Sequence, residues 1–168
     1  MTCWVGLSMG FIANAACLAP VPGGPASHGA FSGDGARRYG GRWNPKGLSA
    51  VYTAATQSLA ALEILVHVDT DLVPNDFVLF AVDIPDAVRV ERILPEDLAP
   101  DWRSEYPPQS LQACGGAWLQ NLVSAVLEVP SAIIPDECNY ILNPQHPDFP
   151  LLFIHPSMPF VFDRRLWR

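Results

Sequence analysis

The sequence predicts one α/β (α+β) domain, and three observations carry that fold class. Short runs of β-branched and aromatic residues read as strands, and two longer segments, 57–67 and 109–123, read as helices. A chain of 168 residues that is 49% hydrophobic can bury a full core without needing a second domain. Its 17 prolines fall at the ends of nearly every run, which suits short elements joined by ordered loops.

From the N-terminus, Trp4 to Ala19 is an apolar stretch to which no element is assigned. A signal peptide needs a positive charge ahead of its apolar run, and the first Lys or Arg here is Arg37. No later run reaches the roughly 18 apolar residues of a membrane helix, so a soluble cytoplasmic protein is expected. Residues 20–47 hold Pro20-Val21-Pro22-Gly23-Gly24-Pro25, Gly33-Asp34-Gly35 and Gly40-Gly41, a composition that predicts a loop able to approach a ligand closely. Ala50-Val51-Tyr52-Thr53 reads as a short strand. Thr56 is placed to cap the helix over 57–67. Phe77–Ile84 is a strand ended by Pro85, and Val126–Ile134, Tyr140–Leu142, Leu151–His155 and Phe160–Asp163 are further strands. Within the helix over 109–123, Gly115-Gly116 predicts either a break or a close helix contact, since each glycine costs about 1 kcal/mol against alanine.

Ten Lys and Arg against seventeen Asp and Glu give a net charge of −7, which excludes a basic footprint for nucleic acid. An anionic substrate must then be gripped by a few local arginines. Cys3, Cys17, Cys114 and Cys138 have no metal-ligand spacing and predict reduced, mostly buried thiols rather than zinc or disulfides. No metal is expected, and His28, His67 and His155 show no mutual spacing for a metal or a triad.

Glu63 is a lone carboxylate on an apolar helix, flanked at helical spacing by Leu59, Ala60, Val66 and His67. It marks either a solvent stripe or a functional acid set in an apolar wall. Arg42, in Gly40-Gly41-Arg42-Trp43-Asn44, is either a solvated turn residue or a guanidinium presented for phosphate. Tyr52 reads as a core aromatic with a satisfied hydroxyl, and Ser131, in Val129-Pro130-Ser131-Ala132, as a small residue at a strand edge. Asn143-Pro144-Gln145-His146-Pro147 reads as a rigid structural loop.

In order, these pieces resemble the RES domain, the toxin component of a bacterial toxin–antitoxin class. The resemblance rests on Gly33–Arg37 with Gly40–Asn44, on Val51-Tyr52-Thr53, and on Ala60-Ala61-Leu62-Glu63 with Leu65-Val66-His67. It continues through Val129-Pro130-Ser131, Asn139, Leu142-Asn143-Pro144 and His146-Pro147. The domain is assigned to 30–168, and 1–29 is a poorly matched N-terminal segment. What the resemblance implies is a split mixed sheet around an NAD cleft, similar to ADP-ribosyltransferases.

The resemblance further implies that NAD+ is the substrate, cleaved by water or by inorganic phosphate as co-substrate, with transfer of ADP-ribose to a protein as the alternative. A diverged module that binds a nucleotide or partner without catalysis is a second alternative. Carried over by position, Arg42, Tyr52, Glu63 and Ser131 are the catalytic residues, with Trp43, Asn44 and Arg37 on the nucleotide. Glu63 would hold the ribose hydroxyls, Arg42 the pyrophosphate, Tyr52 the nicotinamide or ribose face, and Ser131 the amide or a phosphate. An Xre-like helix-turn-helix antitoxin is the implied partner, and a homodimer the implied assembly. One departure stands out: the family's N-terminal Arg has no counterpart ahead of Ala36, so either Arg37 or Arg38 substitutes, or phosphate binding is weakened, or the chain is a diverged member with little NAD activity.

Overall fold

The structure, a computed structural model, describes residues 11–20, 27–67 and 77–167. Cys3, Trp4 and the other positions ahead of Phe11 lie outside them. Two long strands form the middle of the fold, β1 (Phe11–Pro20) and a partner over Phe77–Pro85. They pair antiparallel from Phe11 opposite Pro85 to Pro20 opposite Phe77. The Phe77–Pro85 strand is where the sequence predicts it, and it ends at a proline that has no N–H to continue the ladder. Its two faces serve different cores. Phe80, Val82 and Ile84 join the cluster that includes Ala15, Cys17 and Phe31, whereas Leu79 joins Ala16, Ala54, Leu59 and Ala60.

β1 is a strand that no sequence signal announces, because alanine fits a pleated surface poorly on propensity alone. Tertiary context decides instead: Ala15, Ala16 and Cys17 are buried, and their small side chains let neighbouring elements come close. Around this pair the remaining strands are β2 (Val51–Ala54), β3 (the Phe77–Pro85 strand), β4 (Val90–Arg92), β5 (Val126–Pro130), β6 (Cys138–Leu142), β7 (Phe153–Ile154) and β8 (Met158–Phe160). The eight strands make one mixed sheet in the order β4-β5-β6-β2-β1-β3-β7, with β8 also on β3. β4 and β5 are parallel, and the other pairs antiparallel. The two halves of the sheet meet at a single described register pair between β1 and β2, Ala16 opposite Ala54. The sheet is split there.

Among the described residues, four α-helices dress it, α1 (Ser27–Ala30), α2 (Asp34–Tyr39), α3 (Gln57–Leu65) and α4 (Gln109–Gln120). α3 begins as predicted, with Thr56 Oγ1 accepting the Leu59 N–H at 3.1 Å. It ends two residues earlier than the 57–67 reading, at Leu65. Leu59 and Ala60 bury its inner face over the Ala16–Ala54 joint, and burying a leucine there contributes about 1.5–3 kcal/mol.

Several expectations are corrected. The loop predicted over 20–47 contains α1 and α2, because Gly33 (φ 69°) and Gly40 (φ 75°) adopt left-handed backbone that delimits a short helix rather than abolishing it. α4 runs unbroken through Gly115 and Gly116 and stops at Gln120, short of 123. The close contact made by the glycine pair is with the loop at 43–48 rather than with a helix, since a Cβ on Gly115 would collide with the Trp43 carbonyl oxygen and one on Gly116 would stand 3.0 Å from Pro45 Cδ. β5 ends at Pro130 and not at Ile134, because Ser131 Oγ captures the Ile133 and Ile134 N–H groups, each at 3.1 Å, and turns the chain. A 3-10 turn at Phe149–Leu151 shortens the strand predicted over Leu151–His155 to β7, and the one predicted over Phe160–Asp163 lies at β8 instead. Of the thiols, Cys17 is buried and Cys138 half-buried, but Cys114 is exposed, and all three are free.

Candidate active site

Where the sheet splits, a cleft of about 690 Å³ opens, a size suited to a small ligand. β1 contributes Ala16 and Leu18, β2 contributes Tyr52, Thr53 and Ala54, and α3 contributes Ala60, Glu63, Ile64 and His67. Across from α3 stand Gly40, Gly41 and Arg42 after α2, and the cleft is completed by Glu105, Pro107, Asn139 and Ile141.

Glu63 is the centre of this arrangement. One of its oxygens, Oε1, accepts the Ser131 hydroxyl at 2.9 Å and the Asn139 amide at 2.6 Å. The Asn139 orientation follows from chemistry, since an ionised carboxylate accepts only and must face the NH2 end. No hydrogen bond among the described residues ends on Oε2. The carboxylate is thus pinned by one oxygen and open at the other. Asn139 Oδ1 is buried without a hydrogen-bond partner, a second acceptor at the same wall.

Ser131 itself is fully buried. Its single proton goes to Glu63 and its two lone pairs to Ile133 and Ile134 N–H, so the hydroxyl is saturated. The role implied for it by resemblance, touching an amide or phosphate of the ligand, is not the one this geometry provides. It holds Glu63.

Arg42 lines the opposite side. Nη1 donates to the Trp102 carbonyl at 2.7 Å and Nη2 to the Ser104 carbonyl at 2.9 Å, which leaves three of five guanidinium N–H donors for a ligand. Burial lowers its pKa from the usual value while the Glu63 charge and Tyr52 oppose that shift. A guanidinium stays protonated through such a change. Tyr52 is 36% exposed and lines the cleft. Its hydroxyl is locked, donating to Asn44 Oδ1 at 2.7 Å and accepting the Trp43 N–H at 3.0 Å, and burial pushes its pKa upward. That close approach requires Gly41, because a Cβ there would meet the Tyr52 hydroxyl and stand 2.8 Å from Asn44 Oδ1.

The three residues expected on the nucleotide are placed differently. Asn44 is fully buried behind the wall, its Nδ2 donating to the Ala36, Pro45 and Leu48 carbonyls at 2.9, 3.1 and 3.0 Å. It shapes the glycine loop. Trp43 borders the cleft, yet its indole belongs to the buried cluster with Trp102 and Trp118. Arg37 is ion-paired with Asp34 at 2.9 Å on α2, outside the cleft lining. The 143–147 loop is structural, with Asn143 Nδ2 on the Leu119 carbonyl and His146 Nδ1 accepting the Asp148 N–H, both at 3.0 Å. Asn139 and the Trp102–Pro107 segment were not singled out from sequence for a role. The signal for Asn139 is the two-residue alternation that puts it on one face of β6 with Ile141.

The domain is thus an α/β fold whose split mixed sheet encloses a cleft lined by a doubly hydrogen-bonded carboxylate, a guanidinium and a tyrosine. The RES domain profile matches residues 19–163, and the chain belongs to that family. Among its relatives, the "Toxin Res" of Yersinia enterocolitica is 41% identical over 138 residues, 81% of this chain and 90% of its own length. The "Prs ADP-ribosylating toxin" of a Sphingobium species is 35% identical over 140 residues, 82% of this chain and 87% of its own. In fold the chain is similar to the M. tuberculosis MbcT-MbcA toxin-antitoxin complex, with a TM-score of 0.71 at 22% identity over 89% of this chain and 84% of that one.

Proposed function

We propose that the chain is a RES toxin that consumes NAD+ by cleaving the bond between nicotinamide and ribose, and that a cognate antitoxin with an Xre-like helix-turn-helix domain neutralises it. The observation that carries this reading is Glu63, fixed through Oε1 by Ser131 and Asn139 and open through Oε2 to the cleft. When the glycosidic bond breaks, nicotinamide leaves with the bonding pair as a neutral molecule and the ribose C1 becomes cationic. A carboxylate held beside it stabilises that charge and accepts from the ribose hydroxyls. Arg42 meets the pyrophosphate with its three remaining donors, and the Tyr52 face covers the nicotinamide or ribose. Water attacking C1 then gives ADP-ribose and a proton, whereas phosphate gives the 1-phosphate of ADP-ribose.

Transfer of ADP-ribose to a protein shares the first step, and the name of the Sphingobium relative favours it as the second reading. The test is nicotinamide release from NAD+ by purified, antitoxin-free protein, with and without phosphate. Glu63→Gln is expected to lose at least about 100-fold in rate with its thermal transition unchanged. Release that needs phosphate is phosphorolysis, phosphate-independent release is hydrolysis, and label retained on protein is transfer. Folded protein that releases nothing is a binding module, and the enzyme reading falls.

A further inference from the structure

We infer that Glu105 makes the cleft select by charge, admitting a dinucleotide that carries only its pyrophosphate and disfavouring one with a further phosphate on the adenosine ribose. The inference deepens the NAD+ reading above and rests on it.

Among the described residues that line the cleft, Arg42 is the one Lys or Arg, and it shares the lining with two carboxylates, Glu63 and Glu105. None of the other described Lys or Arg side chains is part of that lining. Arg37 pairs with Asp34, and Arg38, next to it on α2, is not part of the lining. Lys46 borders a separate pocket of about 420 Å³ beside α4. Arg89 pairs with Glu91, Arg92 with Glu128 and Arg165 with Asp163. Of the residues outside those described, 1–10, 21–26 and 68–76 contain no Lys or Arg, and position 168 is an arginine.

Glu105 stands at the cleft because the segment bearing it is tied down on three sides. Trp102 is buried beside Trp43 in the second core cluster. Arg42 grips the Trp102 and Ser104 carbonyls, and Arg103 Nε donates to the Ala132 carbonyl at 3.0 Å. Glu105 follows directly on these ties, and its side chain is exposed to solvent at the cleft lining. A pyrophosphate can take the free donors of Arg42. A further phosphate brings about 1.5 to 2 more negative charges into a lining whose described residues offer one guanidinium and His67 against two carboxylates. At a partly solvated distance of several ångström, one such repulsion is a factor of about ten in kcat/KM.

The experiment compares kcat/KM for NAD+ and NADP+ at low and high salt, in the wild-type protein and in Glu105→Gln and Glu105→Lys. Binding of ADP-ribose and of its 2′-phosphate to Glu63→Gln, followed by calorimetry, reads the same preference without turnover. The expected result is about a tenfold preference for NAD+ that shrinks with salt, shrinks in Glu105→Gln and is lost or inverted in Glu105→Lys. Equal use of the two dinucleotides by the wild type overturns the inference. So does a preference that neither salt nor Glu105→Lys moves, which is the mark of a steric cause. If neither dinucleotide is cleaved, the NAD+ reading fails, and the calorimetric preference, repeated with Glu105→Lys added to Glu63→Gln, still decides whether Glu105 selects by charge.

Discussion

Ser131 has one proton and two lone pairs, and all three are committed: the proton to Glu63, the lone pairs to the N–H groups of Ile133 and Ile134. A serine so placed acts on a reaction only through the carboxylate it holds, and Asn139 holds the same oxygen from the other side. Hydrogen bonds to a charged group contribute about 1.5–3 kcal/mol each, so Ser131→Ala and Asn139→Ala should each lower nicotinamide release roughly 10- to 100-fold. Because both donors end on one atom, the double variant should lose less than the product of the two, and a strictly multiplicative loss would show that they act independently. This pairing also marks how far single residues are legible. Glu63 stands out in the sequence as the lone carboxylate on an apolar helix, but its donors lie 68 and 76 positions away. Only the fold brings them together, which is why Ser131 reads as an edge residue until β5 and β6 are paired.

At the scale of elements, propensity and periodicity mark α3, β2 and β3 nearly whole, since each has a cap, a proline stop or a run of buried branched residues, but of β6 (Cys138–Leu142) they mark only Tyr140–Leu142 and miss Asn139. They failed where glycine does two jobs. Gly115 inside α4 reads as a weak point, yet what demands it is the Trp43 carbonyl oxygen packed against its Cα, a contact 72 positions away in the chain that no local rule reports. Two glycine substitutions therefore carry opposite signs. Gly35, in α2, has open space where a Cβ would go, so Gly35→Ala should stabilise by up to about 1 kcal/mol through propensity. Gly115→Ala should destabilise by about 1–3 kcal/mol, because the added methyl meets backbone and not the end of a flexible side chain. Urea denaturation of the two variants checks the pair. A stabilised Gly115→Ala protein would show that α4 stands farther from the 43–48 loop than the structure places it.

The split of the sheet is a property of the whole molecule, and the residue pattern alone could not show it. β1 carries few β-branched residues, and the joint is one pair of alanines, Ala16 and Ala54; the resemblance to RES domains supplied the split, and the structure gives its location. The same central region sets an alkaline limit on stability. Cys17 on β1, Tyr52 on β2 and Tyr140 on β6 all lose hydration on folding, and burial pushes the Cys17 thiol from 9.0 up to about 12 and both phenols above their usual range. A folded-state pKa above the unfolded one means that the native chain holds a proton which the unfolded chain releases first. The stabilisation is therefore complete below about pH 9 and declines as pH climbs toward 12. For one such group the slope approaches about 1.4 kcal/mol per pH unit. Cys17 alone should accordingly remove roughly 2 kcal/mol between about pH 9 and pH 10.5, with the tyrosines steepening the loss above about pH 10. Urea denaturation from pH 8 to 10.5 measures it directly, and Cys17→Ala isolates the thiol: the variant starts less stable because a buried side chain has shrunk, but its stability should fall less steeply with pH. If the two proteins lose stability in parallel, Cys17 ionises as readily in the folded chain as in the unfolded one, and the strand core around β1 is wetter than its burial implies.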